Sequence, residues 1–322
     1  MFNDFVSQFW PQTIDGLAFG SIYALIALGY TMVYGVLRLI NFAHSEVFMI
    51  GTFGAMVVPF VFGINTPLTG IALVGLILAM IAAGALASAG TAVALERVAY
   101  RPLRKRGASR LAALISAIGA SIFLQELFAL LVIPAVFDRP ERGRIQMGLP
   151  RIAERQELFS IFGHPVMTHQ VFVVVAAIGM MIMLERLVNR TKIGRGIRAT
   201  AQNPEAAVLM GVDINRIVQM TFLIGGAMAG VAGALYLLAY ENTNYYIGFL
   251  FGIKAFTAAV LGGIGNLRGA LVGGIALGLA ENYGAIIFGS DWKHVISFTV
   301  LVLVLMFRPT GLLGESLQQA RA

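Results

Sequence analysis

The sequence contains no cysteine, which excludes disulfide bonds, thiolate metal sites and thiol catalysis. Histidine is also rare, and the four histidines lack the close pairing of a zinc site: they are His44, His164, His169 and His294. No lysine follows a glycine, as the phosphate-binding loop G-x-x-x-x-G-K-[ST] requires. We therefore expect no cofactor, metal or ATP site and no catalytic centre in this chain.

Charged residues are scarce as well. They make up 12% of the 322 residues, against about 25% in soluble proteins, whereas 58% of the residues are hydrophobic. Mean hydropathy is +0.82, and several apolar runs exceed the roughly 18 residues that mark a membrane span. These features predict an all-α, polytopic transmembrane helical bundle of about eight to nine helices. The candidate spans are 14–37, 46–63, 68–96, 111–134, 170–188, 216–240, 249–263, 269–288 and 294–307.

Lysine and arginine are distributed unevenly between the loops on the two sides of these spans. One set of loops, which includes 97–110, 190–216 and the C-terminal tail, carries 15 basic residues, and the other set carries 6. Because basic loops stay in the cytoplasm, we expect the N-terminus outside and the C-terminus inside. The segment 135–168 fits least well, since it places five arginines outside. The net charge of +7 follows this topology and does not indicate nucleic-acid binding.

A short polar segment, QNPEAAVLMGVDINR at 202–216, separates two of the predicted spans. Asn203 is suited to cap a helix, Pro204 to occupy its first position and Glu205 to complement the helix dipole. Gly211 favours the end of this helix. A helix of about two turns is not stable alone in water. We therefore expect it to pack into a groove of another protein.

The spacing of Glu205, Ala206, Ala207 and Gly211 resembles the cytoplasmic coupling motif of ABC importer permeases. An ordinary capped loop is the alternative, because glutamate and alanine are common in helices. Longer motifs in a fixed order are more specific. GSIYALIALGYTMVYGV (20–36), INFAHSEVFMIG (40–51), ERVAYRPLR (96–104), LISAIGASIFLQ (114–125), KAFTAAVLGGIGNLRGALVGG (254–274) and RPTGLLG (308–314) resemble the branched-chain amino-acid ABC permeases of the LivH type. That family commonly has glycine where Ser45 stands, which leaves the local backbone there open.

The resemblance implies one transmembrane permease domain over 1–322, with a cytoplasmic coupling loop at 190–216. It also implies an ATP-driven importer of leucine, isoleucine and valine in the bacterial cytoplasmic (inner) membrane. The implied partners are a related second permease, two ABC ATPase subunits that bind ATP and Mg²⁺, an extracytoplasmic solute-binding protein and membrane lipid. The residues implied to couple this chain to the ATPase are Asn203, Glu205, Ala206, Ala207 and Gly211.

Polar residues within or beside the spans are the candidates for the translocation path, because charge is costly in the bilayer. The candidates are Asn41, His44, Ser45, Glu46, Gln125, Glu126 and Glu281. The first four have a structural alternative, in which they cap the second span and satisfy its backbone or each other. Gln125 and Glu126 are consecutive, so they face different sides of their helix. Lys254 is expected to extend outward to the membrane surface.

Two other functions stay open at this stage. Permeases for urea or short amides resemble this sequence broadly, and a mainly apolar path does not identify a substrate. An ion-coupled secondary transporter would need intramembrane carboxylates, which Glu46, Glu126 and Glu281 could supply. That alternative leaves the capped polar segment at 202–216 unexplained.

Overall fold

The computed structural model describes residues 2–138 and 143–314. The α-helices of this part of the chain are α1 (Phe2–Leu37), α2 (His44–Val61), α3 (Gly70–Leu95), α4 (Arg101–Lys105), α5 (Arg110–Leu127), α6 (Ile133–Val136), α7 (Thr168–Arg190), α8 (Lys192–Gln202), α9 (Pro204–Leu209), α10 (Ile214–Tyr240), α11 (Ile247–Gly262), α12 (Leu267–Phe288) and α13 (Lys293–Phe307). Two π-helical segments, Glu96–Tyr100 and Phe128–Val132, continue α3 and α5. A 3₁₀ turn, Ser290–Trp292, precedes α13.

Within the described residues, eight helical segments are long and apolar enough to cross a membrane. They are Ser7–Leu37, His44–Val61, Gly70–Lys105, Arg110–Val136, Thr168–Arg190, Ile214–Tyr240, Leu267–Phe288 and Ser290–Phe307. Helix α11 is also apolar but has 16 residues. Each segment overlaps one of the predicted spans, so the predicted polytopic helical bundle is confirmed.

The chain divides into two compact units. The first unit comprises Met1–Thr31, Arg155–Leu184 and Ile253–Ala322, and the second comprises Met32–Glu154 and Glu185–Gly252. In the first unit, α1 packs closely on α12. A Cβ at Gly20 would lie 2.7 Å from the Gly274 carbonyl oxygen. Gly16 and Gly20 of α1 and Gly274 and Gly278 of α12 are each four residues apart, and they lie where the two backbones meet.

The second unit is built around α2, α3 and α10, whose backbones touch at glycines. A Cβ at Gly51 would lie 2.6 Å from the Gly230 Cα, and one at Gly84 would lie 2.8 Å from the Gly51 carbonyl oxygen. Real Cβ atoms do not approach so closely. Ser88 on α3 adds a hydrogen bond of 2.7 Å to the Val47 carbonyl of α2. Small residues thus hold these three helices at backbone contact distance.

Two short antiparallel pairs add strands that the all-α prediction omitted. Strand β1 (Met147–Gly148) pairs with β4 (Asn242–Thr243), and β2 (Glu157–Ile161) pairs with β3 (His164–Met167). The β2–β3 hairpin turns at Phe162 and Gly163, which have φ values of 49° and 82°. Two positive φ angles are the pattern of a type I′ turn, which matches the twist of the strands. The Phe162 ring stacks on Trp10 with 4.5 Å between ring centroids.

Candidate translocation and coupling sites

Helix α9 forms within the polar segment, as predicted. The Asn203 side-chain oxygen accepts a hydrogen bond of 3.0 Å from the Ala206 amide, and Pro204 occupies the first position. Helix α9 has six residues. After it, Gly211 adopts φ 83° and its amide bonds the Val208 carbonyl at 2.9 Å. The predicted cap and the predicted glycine stop are therefore both confirmed.

The apolar side chains at the end of α9 are exposed. Leu209 and Met210 have exposed fractions of 87% and 85%, and Val208 is more than half exposed. Ala207 points the other way and is buried. Helices this short persist only when they are packed against other structure. The exposed side of α9 thus presents an apolar surface outside the predicted spans.

A further helix, α8, precedes α9 and was not predicted. The Thr191 hydroxyl caps α8 by accepting a hydrogen bond of 3.0 Å from the Gly194 amide. Its one buried large side chain is Ile197, whereas Arg195 is exposed. Arg198 donates to the Val188 carbonyl at the end of α7. The segment 190–216 is therefore two consecutive helices rather than a loop with one helix.

Glu46 lies fully buried in the first turn of α2. Its Oε1 accepts from the Ser45 hydroxyl at 3.2 Å, the Ser121 hydroxyl at 3.0 Å and the Gln125 amide nitrogen at 2.8 Å. Ser121 and Gln125 lie four residues apart on α5, so they share one face. The Oε2 of Glu46 has no hydrogen-bond partner among the described residues.

Gly248, the second residue of α11, covers this free oxygen. A Cβ at Gly248 would lie 2.6 Å from the Glu46 Oε2. Four residues further along the same helix, Gly252 faces Ser45. Three apolar helices, α2, α5 and α11, therefore meet at one carboxylate.

The remaining polar residues near the start of α2 do not cap it. The residue before the helix is Ala43, and no side chain bonds the free amides. The Asn41 side-chain oxygen instead accepts a hydrogen bond of 2.7 Å from the Tyr100 hydroxyl, and the Ser45 hydroxyl donates one of 2.6 Å to the Phe42 carbonyl. The capping part of the structural alternative is therefore wrong, whereas its other part is borne out, because Ser45 bonds both a backbone carbonyl and Glu46. Ser45 lies within α2, where the backbone is right-handed, so glycine is not required there.

Gln125 and Glu126 diverge, as their consecutive positions predicted. Gln125 is buried on Glu46, whereas Glu126 is 40% exposed and pairs with Arg144 at 2.6 Å. This hydrogen bond raises the pKa of the Arg144 guanidinium above its usual value. Glu126 thus belongs to a solvent-exposed ion pair rather than to the cluster around Glu46.

Glu281 forms a separate cluster in the first unit. Its Oε2 lies 2.9 Å from the Lys254 ammonium and accepts the Tyr23 hydroxyl at 2.9 Å. Its Oε1 accepts the Ser297 hydroxyl. Lys254 also bonds the Tyr23 oxygen at 3.3 Å and lies over its ring. Both carboxylate oxygens of Glu281 are therefore satisfied, one of them by a cation.

The prediction that Lys254 extends to the membrane surface is wrong. Lys254 is only 7% exposed, because α11 and α12 form a tight hairpin that places it beside Glu281. At the hairpin turn, Gly263 and Gly265 have φ values of 101° and 99°. An ion pair supplies the ammonium with a partner inside the bundle, so the side chain does not need to reach water.

A third buried carboxylate, Glu96, was not predicted as a site. It lies in the π-helical segment after α3 and binds Arg101 at 2.7 Å and Arg104 at 3.3 Å. Arg101 also bonds Gln219 of α10, at 3.0 Å. Its signal in the sequence is the two arginines five and eight residues downstream. In a π-helix the backbone hydrogen bonds span five residues instead of four, which alters which side chains face each other.

Comparison with known proteins identifies the family of this chain. Residues 12–305 match the family described as branched-chain amino acid transport system / permease component. The chain is 42% identical to the high-affinity branched-chain amino acid transport system permease protein BraD of Pseudomonas aeruginosa, over 96% of this chain and 97% of that protein. It is 41% identical to the LivH permease protein of Escherichia coli, over 95% and 96%. The chain belongs to this permease family.

A more distant relative extends the same family. The probable branched-chain amino acid transport permease protein LivH of Methanocaldococcus jannaschii is 27% identical, over 92% of this chain and 90% of that protein. As a family member, this permease is a transport subunit and not an enzyme, and ATP hydrolysis belongs to separate subunits. With its eight long apolar helices, it is a multi-pass protein of the inner membrane.

The structure groups the predicted site residues into several places. Ser45, Glu46 and Gln125 lie together in the second unit, where Asn41 bonds Tyr100 instead. Glu281 lies in the first unit within its own network. His44 is buried at the start of α2. Ser121, which also bonds Glu46, was not among the predicted site residues, because it is a single serine within an apolar helix.

Proposed function

We propose that this chain is a permease subunit of an ATP-driven ABC importer for leucine, isoleucine and valine. The observation that carries the proposal is the match to relatives named for branched-chain amino acid transport over at least 95% of the chain, at 41–42% identity. A permease for urea or short amides is not favoured, because these relatives are named for another substrate class. The capped helix α9 argues against an ion-coupled transporter, which has no need of such a helix.

We propose that α9 is the element that binds an ATPase subunit. Its exposed residues Val208, Leu209 and Met210 form an apolar surface on a six-residue helix. Burying such side chains in a groove of a partner removes apolar area from water at about 25 cal/mol per Å². Glu205 and Gly211 flank this surface, as in the coupling motif of ABC importer permeases.

The remaining partners complete the proposal. A second permease would complete the path, two ATPase subunits would bind ATP and Mg²⁺, and a solute-binding protein would deliver the amino acid from outside. The N-terminus would lie outside and the C-terminus in the cytoplasm. The loops on the side of the C-terminus carry 15 basic residues, whereas the loops on the other side carry 6. Binding of the ligand and of the nucleotide would then shift the equilibrium between two packing arrangements of the same helices.

The substrate class is tested by uptake of labelled leucine into proteoliposomes that contain this permease, its partner permease, the ATPase subunits and the binding protein. We expect uptake to require ATP and to be competed by isoleucine and valine but not by urea or short amides. Uptake of urea with no uptake of leucine would contradict the substrate. Uptake abolished by a protonophore with ATP present would contradict the energy source.

The coupling role is tested by Leu209→Asp and Met210→Asp. Both side chains are exposed, so we expect the stability of the permease to change by no more than about 0.5 kcal/mol. Loss of an apolar anchor should lower co-purification of the ATPase and reduce uptake about tenfold or more. Leu158→Asp, on the exposed face of β2, is the matched control.

Two further variants test the same helix. Glu205→Arg and Gly211→Pro should abolish uptake while the permease still accumulates in the membrane, because they change the charge and the end of α9. Proline cannot adopt the φ of 83° that Gly211 has. Normal uptake by the α9 variants at normal expression would show that α9 does not transmit the ATPase cycle.

A further inference from the structure

Three carboxylates are buried among the described residues, and they differ in charge compensation. Glu96 pairs with Arg101 at 2.7 Å, and Glu281 pairs with Lys254 at 2.9 Å. Glu46 forms no ion pair within the described part of the chain. Its three partners are the neutral groups of Ser45, Ser121 and Gln125. The described residues therefore supply a cation to two of these three buried carboxylates and none to the third.

The hydrogen bonds at Glu46 are also one-sided. All three donors point to Oε1, and Oε2 is buried with no partner among the described residues. An ionised Oε2 lacks a donor there, and a protonated Oε2 would lack an acceptor for its hydrogen. Either protonation state leaves a buried polar atom unsatisfied, which costs free energy. A cationic donor that arrives with a ligand removes this penalty.

The position of Glu46 suits such a ligand. It lies where three helices meet, on α2 within a predicted membrane span. Gly248 of α11 covers Oε2. Because glycine has no side chain, no side-chain contact holds this cover in place. A small displacement of this glycine would expose the oxygen without moving the three donors that fix the carboxylate. The carboxylate is thus oriented in advance, which lowers the cost of binding.

We propose that Glu46 recognises the ammonium group of the amino acid during its passage, with Oε2 accepting an N–H of that group. This inference rests on the proposed function, because the ammonium group is the cation that leucine, isoleucine and valine share. Oε1 keeps its hydrogen bonds to Ser121 and Gln125. One oxygen of the carboxylate therefore binds the protein, and the other binds the substrate. Glu46 is then a specificity-determining residue of the translocation path.

The decisive variant is Glu46→Gln in the complete reconstituted transporter. Glutamine has the same shape, and its side-chain oxygen still accepts from the three donors, but it carries no charge for an ammonium group. We expect leucine uptake to fall by about tenfold or more, the effect of losing a charged hydrogen bond. Glu154→Gln, an exposed carboxylate outside the spans, is the matched control and should retain uptake within about twofold.

The outcomes separate this site from the function on which it rests. Wild-type uptake of leucine together with unchanged uptake by Glu46→Gln would overturn the ammonium site alone and identify a neutral, structural carboxyl. A wild-type transporter that takes up urea and ignores leucine would overturn the proposed function, and the ammonium site with it. Loss of uptake with normal assembly and ATPase co-purification supports the site.

A second measurement covers the case in which Glu46→Gln does not assemble. Leucine-induced infrared difference spectra of the wild-type transporter report a change in carboxylate vibrations when an ammonium group binds. Comparison with Glu46→Asp, which keeps the charge on a shorter side chain, assigns the signal. We expect a leucine-dependent carboxylate band in the wild type that is shifted in Glu46→Asp. A band that is absent, or identical in both, would overturn the proposal.

Discussion

Glu46 and Glu281 are both buried carboxylates in membrane-spanning helices, and the protein surrounds them differently. Glu281 has a cation, a phenol and a hydroxyl, which together satisfy both of its oxygens. Glu46 has two hydroxyls and an amide on one oxygen and, among the described residues, no partner on the other. In the part of the chain that the structure describes, the first cluster is complete, whereas the second lacks one hydrogen-bond donor. Burial alone therefore does not distinguish a structural carboxylate from one that binds a ligand.

The largest effect is expected at the complete cluster, from Lys254→Met. Removing the ammonium leaves the buried Glu281 charge without its ion-pair partner, which should lower the free energy of unfolding by about 3–5 kcal/mol. Thermal unfolding of the purified permease in detergent measures the loss. Lys192→Met, at an exposed lysine, is the control and should change stability by no more than about 0.5 kcal/mol.

The double variant Lys254→Met with Glu281→Gln sharpens this result. It removes both charges, so most of the lost stability should return, since neutral replacements of a buried pair are often tolerated. Equal losses in the single and double variants would show that packing, and not charge, dominates at this cluster.

An intermediate effect is expected from Gln125→Leu. This change removes the shortest of the three hydrogen bonds to Glu46, at 2.8 Å, and keeps a similar volume. A hydrogen bond to a charged group contributes about 1.5–3 kcal/mol, against about 0.5–1.5 kcal/mol for a neutral one. A loss in unfolding free energy within the larger range would thus indicate an ionised Glu46, and a loss within the smaller range would indicate a neutral one. Gln156→Leu, at an exposed glutamine, serves as the control.

The smallest effect is expected from Ser45→Ala. A hydroxyl has one hydrogen, and Ser45 shares it between the Phe42 carbonyl at 2.6 Å and the more distant Glu46 at 3.2 Å. The hydroxyl therefore contributes little to the carboxylate, and we expect a loss of about 0.5–1 kcal/mol. A loss as large as that of Gln125→Leu would mean that Ser45 is a principal donor to Glu46. Thermal unfolding under the same conditions decides between them.

The sequence predicted the features that depend on local chemistry. Apolar runs located the spans, and the capping chemistry of Asn203 and the helix-ending tendency of Gly211 located α9. The divergence of Gln125 and Glu126 followed from helical periodicity. Each of these depends on residues within a few turns of one another, so the chain alone carries the signal.

Contacts between distant segments were not predictable in the same way. Ser121 and Gln125 reach Glu46 across 75 and 79 residues, and Lys254 reaches Glu281 across 27. Their pairing depends on how the helices pack, which hydropathy does not encode. Helix α8 was missed because its apolar residues are few. The β2–β3 hairpin was not predicted because β2 is exposed along almost its whole length, so no buried face imposes an alternation of apolar and polar residues.

The glycine contacts among α2, α3 and α10 have a mechanical consequence for the second unit. With no side chain between Gly51, Gly84 and Gly230, these helices cannot slide or rotate past one another without backbone collision. We therefore expect the three helices to move together, and Glu46 to move with them because it lies in the first turn of α2. A rearrangement that opens the carboxylate then comes from α11, so the cover moves while the charge and its donors stay in place.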